Sequence, residues 1–133
     1  MILVDSSVWI DFFRNTSNAS TNRLVECLQE DEATVGVADL VLFEVMRGFH
    51  QAADQARAKD LLLGLEVVEI GGLENALVAA QHYRELRLRG YTVRSPIDVL
   101  LASYCIANGH FLLHRDADFD LLENLRGLKV WRH

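Results

Sequence analysis

Short unbroken apolar blocks alternate along the chain with longer stretches in which apolar residues recur at helical spacing. Ile2, Leu3 and Val4 form the first block, and it ends abruptly at Asp5. Such a run suits a strand buried on both faces, as in a parallel sheet. Ser6 and Ser7 follow and can cap a helix. Val8, Trp9, Ile10, Phe12 and Phe13 then recur at helical spacing. Residues 14–20 are polar and read as a loop, and residues 21–32 carry Leu24, Val25 and Leu28 on one helical face. Residues 33–38 predict a short strand. Asp39 can cap the helix after it, which runs to about residue 50 and is apolar almost all round. Residues 51–65 continue helically with a polar face, and residues 66–70 predict a strand.

Gly71 and Gly72 punctuate the chain before a long amphipathic helix over residues 73–89, stopped by Gly90. Ser95, Pro96 and Asp98 then open a helix as N-cap, first helical residue and capping-box acid. That helix is apolar nearly throughout and ends at Asn108-Gly109. Phe111–Leu113 is a second fully apolar strand, residues 115–119 turn into a short helix reaching Leu125, and residues 128–131 form a last strand. Strands alternating with helices of crossover length predict an α/β fold. It is a three-layer sandwich in which a central, mostly parallel sheet carries helices on both faces. The 133 residues fit one domain, and no stretch reaches the ~20 apolar residues of a membrane span. Met1 leads straight into the first strand without a basic leader, so no signal peptide is expected. Cys27 and Cys105 have no metal-type spacing and read as reduced thiols of a cytoplasmic protein.

Charge changes the picture. The net charge of −6 argues, taken alone, against a nucleic-acid binder. Yet Asp5, Glu44, Asp98, Asp116, Asp118 and Asp120 all fall at places of interest. Setting those six of the 19 acids aside leaves 13, equal to the 13 Lys and Arg. Basic patches can then exist, for example around Arg84, Arg87, Arg89 and Arg94. Asp5 ends the first strand and Asp116 lies just past Phe111–Leu113, so both belong at the C-terminal edge of one sheet, where such sheets bind ligands. Asp98 begins a crossover helix whose start can reach that edge. Glu44 is the lone acid in an apolar helical stretch, and a buried lone carboxylate costs several kcal/mol unless it is paired or binds a metal. Carboxylates converging on one edge call for a cation, and hard ions such as Mg²⁺ or Mn²⁺ prefer all-oxygen sites.

Each acid also has an ordinary reading. Asp5 can stabilise the following helix N-terminus, Glu44 can pair with Arg47, Asp98 can belong to a capping box, and Asp116 can be an N-cap. None of these explains why all four converge. Other chemistries find less support. The five histidines (His50, His82, His110, His114 and His133) lack zinc spacing, the serines lack a G-x-S-x-G elbow, and neither a P-loop nor a dinucleotide fingerprint occurs. An aspartyl phosphatase would need D-x-D at the first strand, where Ser7 stands instead. Trp9, Phe12 and Phe13 suit core or interface packing better than base stacking.

The ordered set Val4-Asp5-Ser6-Ser7-Val8-Trp9-Ile10-Asp11, Glu44 within a helix, Arg94-Ser95-x-x-Asp98 and His114-Arg115-Asp116-Ala117-Asp118-Phe119 resembles the PIN-domain toxins of the VapC type. The resemblance covers essentially the whole chain as one PIN domain, residues 1–133. It implies a Mg²⁺- or Mn²⁺-dependent endoribonuclease of a toxin–antitoxin pair, cutting RNA such as tRNA to inhibit translation. Asp5, Asp98 and Asp116 would be direct ligands, and Glu44 would act directly or through water, with Asp118 as an additional acid. Ser6 and Ser7 would stand behind the ligands, and Arg94, Arg115, Arg87 and Arg89 would steer RNA phosphates. In-line hydrolysis would leave a 5′-phosphate and a 3′-hydroxyl. The implied partner is a VapB-type antitoxin in a groove supplied by residues 8–13 and 40–49, a face that would also serve a homodimer. Many family members have Thr or Ser where this chain has His114, and Asp120 lies outside the shared pattern. The rival readings are a DNA-directed or other phosphodiester hydrolase of the same fold, and a metal-stabilised binding module without turnover.

Overall fold

The computed structural model describes residues 1–30 and 34–132. Its strands are β1 (Ile2–Val4), β2 (Val35–Ala38), β3 (Glu66–Val68), β4 (Phe111–Leu113) and β5 (Lys129–Val130). Its helices are α1 (Ser6–Phe13), α2 (Ala19–Gln29), α3 (Asp39–Met46), α4 (Ala52–Leu63), α5 (Leu73–Leu88), α6 (Pro96–Asn108) and α7 (Ala117–Arg126). The five strands form one sheet in the order β3-β2-β1-β4-β5, and every described pairing is parallel. Ile2 pairs with Val35 on one side and Phe111 on the other, so β1 is central. Its three residues are almost fully buried, which is why the run is apolar without alternation.

The strand order explains the layers. From β1 through β2 to β3 the chain moves one way across the sheet, and α1 packs against α2 and α3 and α3 against α4. From β3 it returns past β1 to β4 and β5, and α5 packs on α6 and α6 on α7. Right-handed crossovers running in opposite directions place the two helix groups on opposite faces. The reversal falls between β1 and β4, so the crevice beyond their C-terminal ends is the topological switch point. Trp9, fully buried, anchors the first face and stacks with Phe13 at 6.0 Å and edge-on with Phe12 at 5.9 Å. Leu101, Ala102 and Cys105 of α6 and Phe119 and Leu122 of α7 are buried in the same continuous core.

Several local expectations are corrected. Ser6 and Ser7 are the first residues of α1 rather than its cap; Asp5 holds the N-cap position, and its side chain makes no capping bond. Asp39 begins α3, and its Oδ1 accepts a hydrogen bond from the Ile70 amide at 2.8 Å instead of capping its own helix. Ser95 occupies the N-cap of α6 without a side-chain bond, so no capping box forms with Asp98, although Pro96 sits at the helix start as predicted. The helical pattern over residues 39–65 is broken between Met46 and Ala52, and β3 stops at Val68 rather than Ile70. The second helix starts earlier than its apolar pattern suggests, because Asn18 and Thr21 form a reciprocal capping box. The end of the helix predicted over 21–32, the start of the strand predicted over 33–38, and His133 fall on residues outside those described. Gly109, at φ 67°, closes α6 in the left-handed conformation that only glycine adopts without strain.

Candidate active site

Four carboxylates reach the switch point from four segments. Asp5 leaves β1, and its amide donates to the Leu113 carbonyl at 3.0 Å, which ties the strand ends together. Asp116 follows β4 and caps α7, its Oδ1 accepting from the Asp118 amide at 2.9 Å. Asp98 enters from the first turn of α6 and Glu44 from α3. Asp5 and Asp98 are buried, at 3% and 7% exposure, while Glu44 and Asp116 are half-buried.

Electrostatics register the convergence. Burial pushes the Asp98 carboxyl up, and the charges of Asp5, Asp116, Glu44 and Asp118, in that order, push it further, to about 8. Asp5 is also raised, chiefly by burial, with Asp116 adding to the effect; the Ser7 hydroxyl, donating to Asp5 Oδ2 at 2.6 Å, opposes it. Glu44 is raised by burial and by Asp5, and the neighbouring Ser6 hydroxyl offsets part of this. The adjacent serines thus serve different acids, Ser7 holding Asp5 and Ser6 favouring charged Glu44. Asp5 Oδ1 and Glu44 Oε1 are buried without a hydrogen-bond partner. An unpaired buried carboxylate oxygen is costly, so both atoms are suited to a cation. Among the described residues, no three His, Cys, Asp or Glu side chains are drawn into a closed metal-binding group. The all-oxygen character of the acids is of the kind that suits a hard divalent ion rather than zinc.

The acids outside this quartet have other neighbours. Asp118 Oδ2 accepts from the Arg94 amide at 3.3 Å and stands 3.7 Å from the Arg94 Nε. Asp120 is exposed, with Oδ1 4.0 Å from His114 Nε2. No described ion pair within 4 Å joins Glu44 to Arg47, whose guanidinium lies over Phe43, although its charge still favours the ionised Glu44.

The arginines separate. Arg94 is highly exposed beside Asp118, and Arg115 adjoins Asp116. Arg87 contacts Tyr83 on its own helix, and among the described residues no contact joins Arg87 or Arg89 to the carboxylates. Arg115 Nε pairs with Asp11 Oδ2 at 2.8 Å, and the same oxygen accepts from Asn18 Nδ2 at 3.1 Å. Asp11 therefore ties α1 and the cap of α2 to the loop that carries Asp116. The sequence signal for this role is that Asp11 is the lone charge in the apolar run of α1.

A separate cavity of about 790 Å³ opens between the end of α1, the end of α3 and α4, where Ile10, Phe12, Phe13, Val45, Phe49 and Leu61 are among its walls. The groove expected from residues 8–13 and 40–49 thus gains its third wall from α4.

Comparison with known proteins agrees with this architecture. Residues 2–125 match the PIN domain family. A VapC ribonuclease of Mycobacterium bovis is 31% identical over 130 residues, covering 98% of this chain and 97% of the relative. The VapBC2 complex of Rickettsia felis bound to a promoter DNA fragment contains a chain with the same fold, at a TM-score of 0.77 and 18% identity over 98% of each chain. VapC20 of Mycobacterium tuberculosis, a sarcin–ricin-loop cleaving toxin, superposes at a TM-score of 0.73 with 16% identity over the full length of both chains. The chain belongs to the PIN-domain family and, within it, to the VapC ribonucleases.

Proposed function

We propose that the protein is a metal-dependent endoribonuclease, the toxin of a toxin–antitoxin pair, with folded RNA of tRNA or ribosomal type as substrate. The observation that carries this reading is the quartet of Asp5, Glu44, Asp98 and Asp116: burial and then the neighbouring charges raise Asp98 to about 8, while two buried oxygens go unpaired. Membership of the VapC ribonucleases supports the reaction class, and the sarcin–ricin-loop activity of a structural neighbour supports a folded RNA.

Asp5, Asp98 and Asp116 would hold Mg²⁺ or Mn²⁺, with Glu44 directly or through water and Asp118 at the margin. When bound, such an ion polarises a phosphodiester and acidifies water, which suits hydrolysis to a 5′-phosphate and a 3′-hydroxyl. The chain's own groups do the positioning. Ser7 fixes one oxygen of Asp5, which directs the other into the cleft. Ser6 favours the charged form of Glu44, offsetting part of the effect of burial. Arg94 and Arg115 flank the acids and offer guanidinium groups to phosphates on either side of the cut, which lowers the electrostatic barrier to an anionic substrate.

The partner we propose is a VapB-type antitoxin whose apolar segment occupies the groove walled by Phe12, Phe13, Phe49 and Leu61. The VapBC complexes among the structural neighbours support a VapB-type partner. We also propose a homodimer, for which Phe43, Leu73 and Leu77 offer exposed apolar side chains. A cytoplasmic setting is consistent with two free buried thiols and with the absence, among the described residues, of any helix long and apolar enough to cross a membrane.

The test is cleavage of purified tRNA and ribosomal RNA with Mg²⁺ or Mn²⁺, with mapping of the new 5′ ends. Discrete ends that disappear in EDTA and in Asp98→Asn are expected. Undiminished cleavage in EDTA or in that variant would overturn the proposal, as would preference for DNA over RNA.

A further inference from the structure

His114 is buried at the exit of β4, two residues before Asp116. Its Nδ1 accepts a hydrogen bond from the Asp116 amide at 3.2 Å. An imidazole nitrogen that accepts carries no proton, so the proton sits on Nε2. Nε2 faces the exposed Asp120 carboxylate at 4.0 Å, an electrostatic contact that favours that tautomer without being a hydrogen bond. The ring packs on Phe119 with centroids 4.9 Å apart, which sets its plane.

The consequence reaches Asp116. Its backbone is pinned on the amide side by His114, and its Oδ1 is committed to the Asp118 amide as the cap of α7. With the backbone and one oxygen fixed, the other oxygen has little freedom. A carboxylate held in this way binds a cation without first losing rotamer entropy.

We propose that His114 is a positioning residue for Asp116: its Nδ1 pins the Asp116 backbone, and Asp120 keeps the imidazole proton on Nε2. The inference rests on the ribonuclease reading for its effect on rate, and its structural half is testable without any activity.

The first arm is nitrogen-detected NMR of the histidine side chains in the metal-free protein. His114 should appear as the Nε2–H tautomer with an accepting Nδ1, and Asp120→Ala should shift it toward Nδ1–H. A proton on Nδ1 in the wild type overturns the proposal. An unchanged tautomer in Asp120→Ala overturns the part assigned to Asp120.

The second arm separates acceptor from packing. His114→Phe keeps a ring against Phe119 but loses the acceptor. His114→Asn loses the ring but places its amide oxygen near the position of Nδ1. The phenylalanine variant should melt near the wild type yet lose about 10- to 100-fold in kcat, the usual effect of removing a group that orients a metal ligand. Its KM for RNA should stay close to wild type, and Mn²⁺ binding followed by calorimetry should weaken. The asparagine variant should recover most of the lost rate. The reverse order, with Phe active and Asn impaired, would make the role packing alone and overturn the proposal. If the wild type cuts no RNA, the ribonuclease reading fails, while the NMR and calorimetric results still decide the role of His114.

Discussion

Asp98→Asn should stabilise the metal-free protein while abolishing its RNA cleavage. Asp98 is buried among Asp5, Asp116, Glu44 and Asp118, and its carboxyl is raised from 3.8 to about 8. Between those values the folded state binds a proton that the unfolded chain releases, so wild-type stability falls as pH rises through the window. At ~1.4 kcal/mol per tenfold change in acidity, a move from 3.8 to about 8 corresponds to a ceiling of about 6 kcal/mol. Side-chain relaxation and water entry reduce such buried effects, and an expected gain of about 2–3 kcal/mol at pH 8 follows from an effective dielectric well above that of a dry interior. Asparagine has nearly the same shape and no charge, so it removes the cost without opening a cavity. The assay is urea unfolding of both proteins in EDTA from pH 4 to pH 8. The difference in stability between variant and wild type should be small at pH 4 and grow with pH. Added Mn²⁺ should narrow it by stabilising the wild type more. A pH-independent difference, or a variant less stable than wild type at pH 8, would refute the electrostatic account of the cleft.

Three further outcomes follow from the same geometry. Trp9→Ala, which empties the fully buried site between Phe12 and Phe13, should cost about 3–5 kcal/mol in urea denaturation; a loss below ~1 kcal/mol would show that this face is not tightly packed. Asp11→Ala removes the shared acceptor of Arg115 and Asn18 and should cost about 1–2 kcal/mol, checked by the same method. Adding Asn18→Asp, which keeps the accepting oxygen of the α2 cap but loses the amide donated to Asp11, should change little further if the three act as a unit. Phe13→Asp, in the groove wall, should abolish co-purification with the antitoxin but leave RNA cleavage in place; a retained complex would move the partner to another face.

The local pattern alone determined a good deal. The unbroken runs Ile2–Val4 and Phe111–Leu113 announced buried parallel strands, because only a strand covered on both faces can be apolar at every position. Asp5 and Asp116, each directly beyond such a run, were therefore legible at one sheet edge. Pro96 and Gly109 marked the limits of α6 by their backbone chemistry. Side-chain partnership was not legible in the same way. Ser95 looked like a cap and is not bonded as one; Asp39 looked like a cap and instead binds the amide of Ile70, 31 positions along the chain. A capping residue satisfies whichever backbone donor comes within reach, and distant segments compete for it on equal terms with local ones. Arg115 was expected only to steer RNA phosphates, and its pairing with Asp11 on another helix was not legible. The order of strands, and with it the switch point between β1 and β4, belongs to the tertiary structure. So does the size of the repulsion at Asp98, because burial and the distance between charges exist only once the four segments have met.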